Sequence, residues 1–162
     1  MTREELHSTF DRLFAARGDR QAISTEELAR VEAEMTITFP QAYLDFVTKY
    51  GAIYTPSILD LVTGGDSETA PEGASFDVQQ FLNAEEIIKN SKLYWSGGMD
   101  SQLVGIASDC MGNMFAFRRK QSEPRNDDCA LLFFDHDFCK VHEESSSFHA
   151  WLESFIRMSA AH

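Results

Sequence analysis

The chain has 162 residues, 43% hydrophobic and 25% charged, a size and composition that give one globular domain a sufficient core without metal or disulfides. Fourteen Lys and Arg against 26 Asp and Glu leave a formal charge of -12. This acid excess argues against binding nucleic acid or an anionic membrane, both of which need a positive patch, and it favours capture of a cationic protein.

In chain order, the first predicted helix starts at Thr2, whose hydroxyl can cap the Glu5 amide while Glu5 reaches back. Its apolar face is Leu6, Phe10, Leu13 and Phe14, and Arg17 and Gly18 suit its end. The opening residues carry no signal-peptide pattern, and no apolar run approaches the ~20 residues of a membrane helix. Ser24 and Glu27 form a second capping pair, ahead of Leu28, Val31 and Met35. Pro40 opens a third helix, which buries Tyr43, Phe46, Val47 and Tyr50 and stops at Gly51.

Ile58 to Val62 reads as a strand, Thr63 to Ser75 as a long acidic surface loop, and Phe76 to Phe81 as an edge strand. Asn83 and Glu86 cap a helix to about Leu93, with Ile87, Ile88 and Leu93 inward. Beyond it the period changes to two. Leu103–Ser108, Met114–Arg118, Cys129–Phe134 and Phe138–Val141 read as strands, the first two joined by a turn at Gly112-Asn113 and the last two by Asp135-His136-Asp137. Short connections favour an antiparallel meander. A last helix begins within Ser145-Ser146-Ser147 and carries Phe148, Trp151, Leu152, Phe155 and Ile156 along one stripe. The expected architecture is α+β, a single domain over residues 1–162, with helices covering a mainly antiparallel or mixed sheet.

The motifs of chemistry are weak. Asp135-His136-Asp137 has the conformational preferences of a hairpin turn. Cys110, Cys129, Cys139 and His142 lack the close ligand pairs of a zinc site, so buried or inert thiols in a reducing, cytoplasmic setting are the simpler reading. No serine sits in a GxSxG setting, and Gly64-Gly65 and Gly97-Gly98 lack the spacing of a phosphate loop. No catalytic residue, metal ligand or cofactor is assigned. The remaining alternative enzyme is a small metal-dependent hydrolase using Asp109, His136 and Cys139.

Charge is more informative. Between Lys49 and Lys89 there is no Lys or Arg, whereas Asp60, Asp66, Glu68, Glu72, Asp77, Glu85 and Glu86 all occur there. Basic residues gather instead at Arg118, Arg119, Lys120 and Arg125. Such segregation suits an acidic interaction surface that steers a basic partner, with Tyr54, Tyr94 and Trp95 as aromatic anchors.

From about Ile23 to Ile156 the chain resembles the SUKH superfamily, which holds yeast cell-wall-assembly regulators and many bacterial immunity proteins. The resemblance rests on Ile37-Thr38-Phe39-Pro40 with Tyr43, Phe46 and Tyr50-Gly51. It continues through Ile106, Asp109, Gly112-Asn113, Phe115 and Asp135-His136-Asp137, and closes on Ser147-Phe148, Trp151-Leu152 and Phe155. It implies an α+β fold without enzymatic activity, and a partner that is a cognate polymorphic or contact-dependent toxin, often a nuclease, neutralised by occlusion. A regulatory or scaffolding module is the alternative, and self-association is left open. The stretch after the third helix departs from the family's Gly- and Asn-rich pattern, reading Tyr50-Gly51-Ala52-Ile53-Tyr54.

Overall fold

The computed structural model describes residues 1–15, 20–56, 58–63 and 77–160. Its first half is helical: α1 (Arg3–Phe14), α2 (Thr25–Met35), α3 (Gln41–Tyr50) and the short α4 (Ile58–Thr63). Then come β1 (Gln80–Phe81), α5 (Ala84–Ser96), β2 (Leu103–Ser108), β3 (Met114–Arg118), β4 (Leu131–Asp135), β5 (Lys140–Ser145) and α6 (Phe148–Ala160). The five strands form one antiparallel sheet in chain order. The α+β architecture is the expected one.

Capping chemistry fixes where three helices begin. Thr2, Ser24 and Asn83 each accept a bond from the backbone amide three residues on, while Glu5, Glu27 and Glu86 return a carboxylate to the cap's own amide. Helix α3 begins just after Pro40, whose fixed φ suits that position, and ends at Gly51. Alternation then sorts the sheet's side chains. Phe115 and Phe117 of β3 face one side, where Trp151 lies 4.8 Å from Phe115 and Tyr43 lies 5.6 Å from Phe117. Phe10, Phe46, Phe81, Phe148 and Phe155 complete this aromatic core between the sheet and α1, α3 and α6. On the opposite face α5 covers β2, and Ser91 Oγ accepts the Gly105 amide at 2.9 Å. Tyr94 packs edge-on against Phe134 there.

Several expectations need correcting. Ile58 to Val62 is helical, because the Asp77 carboxylate accepts the Ile58 amide at 2.6 Å and so satisfies a donor that a helix start leaves free. Of the edge strand expected over Phe76–Phe81, the described residues from Asp77 on form a strand at Gln80–Phe81 alone. Residues 64–76, hence nearly all of the acidic loop, lie outside the described residues, as do Arg17 and Gly18. Leu13 and Leu93 are exposed, and buried His7 takes the inward place on α1. The Asp135-His136-Asp137 turn runs on to Cys139, which adopts φ +49°, so the last strand starts at Lys140 and not at Phe138. Asn113 keeps a negative φ, and only Gly112 takes the left-handed conformation in its turn.

Helix α6 is started from a distance. Asp128 accepts the amides of Phe148 and His149 at 2.9 and 3.0 Å, and Ser147 Oγ accepts that of Ala150 at 3.0 Å. Asp128→Ala is therefore expected to cost about 1–2 kcal/mol, since Ser147 still satisfies one of the three amides. A urea unfolding curve with an unchanged midpoint would contradict that role.

Candidate acidic groove at the sheet edge

Beyond β1 the sheet is extended by two short pairings. Ile53 O accepts the Phe81 amide and Gln79 O accepts the Thr55 amide, which sets Tyr54 beside Gln80. Ala52 in turn donates to Gln21 O at 2.9 Å. The turn that makes this possible is Gly51, at φ +71° and ψ -162°. The result carries the sheet out to the starts of α2 and α5.

Two connected depressions of about 410 and 270 Å³ occupy this edge, sharing Gln21 and Asn83. Glu27 and Glu85 line the first, and Tyr54, Gln80 and Glu86 the second. Neither is lined by a Lys or Arg among the described residues. Tyr54 is 60% exposed, and Gln80 Nε2 donates to Glu86 at 3.2 Å. Hydrogen bonds from the Ser24 amide and hydroxyl hold the Glu27 carboxyl below its ordinary range, so it stays charged.

The field at this groove has two opposing sources. Each helix start contributes about half a positive charge, which would repel a cation. Against these stand Glu27 on α2 and Glu85 and Glu86 on α5. Three carboxylates against two half-charges leave the groove negative by about two. Acidity wins.

The residues named from the sequence divide sharply in space. Tyr54, Glu85 and Glu86 meet at the groove. Tyr94 and Trp95 lie at the other end of α5, about 14 Å along the helix from Glu85. There the Tyr94 hydroxyl donates to Gly112 O at 2.7 Å, and Trp95 Nε1 donates to Leu103 O at 2.7 Å. Asp60 is exposed on α4, and Asp77 is buried on the Ile58 amide. Asp66, Glu68 and Glu72 lie outside the described residues. Gln21, Glu27 and Gln80 join the groove without having been singled out as binding residues. The signal for Glu27 was present in its capping pair, which marks a helix start but not where that start is delivered.

Asp109, His136 and Cys139 stand at a different end of the sheet. Asp109 accepts the amides of Met111 and Asn113 and the side-chain amide of Asn113. Asn113 Oδ1 accepts the His136 amide and lies 3.1 Å from Nδ1 of that ring. Cys139 Sγ sits 3.9 Å from Gly97 O. This network ties two hairpin turns to the end of α5. Cys110 and Cys139 are exposed, while burial pushes the Cys129 thiol up to about 11. Among the described residues, no three His, Cys, Asp or Glu side chains are grouped to hold a metal ion. Nor is any helix among them long and apolar enough to cross a membrane. The basic run is partly engaged: Arg125 pairs with Glu32 and Phe39 O, and Arg119 lies over the Trp95 ring.

Comparison with known proteins yields one family. No curated protein matches the chain significantly. A family model described as SMI1 / KNR4 family (SUKH-1) matches residues 22–154, a span that takes in Tyr54, Glu27, Glu85 and Glu86 and every element from α2 to most of α6. Helix α1 precedes the match, although its Phe10 packs against Phe46 and Phe155 in the same core. The chain belongs to the SMI1/KNR4 family (SUKH-1).

Proposed function

We propose that this protein is a non-catalytic immunity protein that binds a cognate, basic nuclease toxin of the polymorphic or contact-dependent kind and covers its nucleic-acid surface. Its family includes toxin-immunity proteins. The observation that carries the reading is the convergence of Tyr54, Glu85 and Glu86 with Glu27 on one groove that no basic side chain lines among the described residues. A nuclease presents Lys and Arg to phosphate, and a surface of opposite sign meets those groups without any chemical step. Tyr54 supplies a large, half-solvated ring beside the charges, the type of residue that anchors interfaces. Asp60, exposed on α4, and Asp66, Glu68 and Glu72 extend the acidic stretch in sequence.

The test uses the toxin encoded beside this protein's gene. Glu85→Lys on the groove's lining, together with Glu26→Lys beside Glu27 in the first turn of α2, reverses two exposed charges that are not the returning carboxylates of the capping boxes. The pair is expected to weaken toxin binding about 10- to 100-fold, mostly through slower association, and to flatten its salt dependence. Melting temperature should hold within a few degrees. Unchanged affinity and salt slope would remove the groove from the interface. Lack of protection against any neighbouring toxin, together with co-purification in an endogenous assembly complex, would favour the regulatory role that the family's yeast members represent.

A further inference from the structure

Two cations of the basic run are left over once Arg119 lies over Trp95 and Arg125 pairs with Glu32. Arg118 is exposed and reaches Asp100 only at 3.7 Å, and exposed Lys120 forms no ion pair among the described residues. Both line a depression of about 400 Å³ together with the apolar Phe117, Cys129, Ala130 and Leu132. The last three are half-buried and so present apolar surface to the opening. Burial pushes the Cys129 thiol up to about 11, which keeps it neutral. One acid, Glu143, also lines the depression. Two cations against one acid make it positive, in a chain whose formal charge is -12. Apolar walls with a few charged groups around a volume of this size are the usual form of a small-molecule site.

We infer that this depression binds a small amphiphilic carboxylate, an aliphatic chain of medium length whose head meets Arg118 and Lys120 while its body covers Cys129, Ala130 and Leu132. Charge selects the head. Glu143 cancels one of the two cations, so a single negative charge is matched and a dianion is not. The surrounding main chain selects the body. Thr38 N–H donates to Lys120 O at 2.9 Å, Arg119 N–H to Gln102 O at 2.6 Å and Cys129 N–H to Asp128 Oδ1 at 2.8 Å. Ala116 and Leu132 pair with each other in the β3–β4 ladder. A peptide laid here would bury amides without partners, at a cost that a hydrocarbon chain does not incur. The site shares no lining residue with the acidic groove, so it does not rest on the toxin-binding reading.

The test titrates the full chain with hexanoate, heptanoate and octanoate, each below the concentration at which it forms micelles, and follows backbone amides by NMR. Saturable shifts at Lys120, Ala130 and Leu132 are expected, with affinity rising about two- to fourfold per added methylene. Octylammonium should bind there at least about tenfold more weakly. Arg118→Gln with Lys120→Gln should weaken octanoate binding about three- to tenfold at an unchanged melting temperature, and Glu143→Gln should tighten it about twofold. Acetyl-diglycyl-leucine, which carries the same head on a peptide body, should bind more weakly than octanoate. Tighter binding of that peptide would make the occupant a chain terminus and overturn the inference. So would equal binding of octanoate and octylammonium, a double variant that binds octanoate as the parent does, or no saturable shift at these amides with any chain length.

Discussion

Gly51→Ala is expected to lower stability by about 3 kcal/mol and the melting temperature by roughly 6–12 °C, and to abolish partner binding at the acidic groove even where the protein remains folded. Two independent costs combine at this position. The backbone stands at φ +71° and ψ -162°, a region open to glycine and strained for every other residue. A Cβ added there would also meet Gln21 O at 2.0 Å and Ala22 Cα at 2.6 Å, both backbone atoms that no side-chain rotation can move aside. Relief requires separating Gly51 from Gln21, which breaks the Ala52-to-Gln21 bond and withdraws the strip holding Tyr54. Helix α3 lies just before this turn and buries Tyr43, Phe46 and Val47, so the aromatic core survives while the edge shifts. Thermal unfolding and binding of the proposed toxin partner would therefore separate, with binding failing first. A variant with wild-type melting and wild-type affinity would mean that the groove's floor is not what positions the binding surface.

The local devices of this fold are readable because each depends on residues a few positions apart. The Thr2–Glu5, Ser24–Glu27 and Asn83–Glu86 boxes lie at the helix starts the sequence predicts, and the Pro40-to-Gly51 frame brackets α3. Failures fall where the deciding partner is distant. Asp77 turns Ile58–Thr63 into a helix from across a long connection; the start of α6 after Ser147 is legible, but the Asp128 carboxylate that caps it from before β4 is not. Cys139 adopts a left-handed conformation rare for its type, so the β4–β5 turn outruns the sequence pattern. The candidate site shows the same division. Tyr54, Glu85 and Glu86 are visible as an exposed aromatic and a first-turn acid pair, but their meeting depends on the Ala52–Gln21 and Tyr54–Gln80 pairings. Charge segregation along the chain is therefore only a partial guide. Asp77, one of the acids in the cation-free stretch, is held by a backbone amide, and Glu27 of α2 lies before that stretch yet belongs to the groove.

His7 makes the stability of the protein depend on pH, and replacing it by phenylalanine should remove most of that dependence. The ring is 3% exposed on the inner face of α1, edge-on to Phe46 at 5.2 Å and to Phe148 at 6.4 Å. Its Nε2 is buried and has no hydrogen-bond partner among the described residues. Burial, aided by the nearby Arg3 guanidinium, the His149 ring and the Lys49 ammonium and opposed by Asp45, holds its pKa down to about 4, against 6.5 for a free imidazole. Above pH 6.5 the ring is neutral in both folded and unfolded chains, and this stabilising difference is fully present. As pH falls from 6.5 toward 4, the unfolded chain takes up a proton that the folded one refuses. Stability then drops by about 1.4 kcal/mol per pH unit, to a total near 3 kcal/mol. Below pH 4 both states are protonated and the loss levels off. His7→Phe keeps the ring stacking and deletes the buried, unpartnered nitrogen, so a gain of about 1 kcal/mol is expected at pH 7. At pH 5 the gain should rise to about 3 kcal/mol as the proton penalty disappears. Carboxylates titrate over part of the same range, so the measurement that isolates His7 is the difference between the two proteins' urea-unfolding free energies from pH 7.5 to 4.5. A difference that stays constant across that range would show that the imidazole gains its proton as readily in the core as in water.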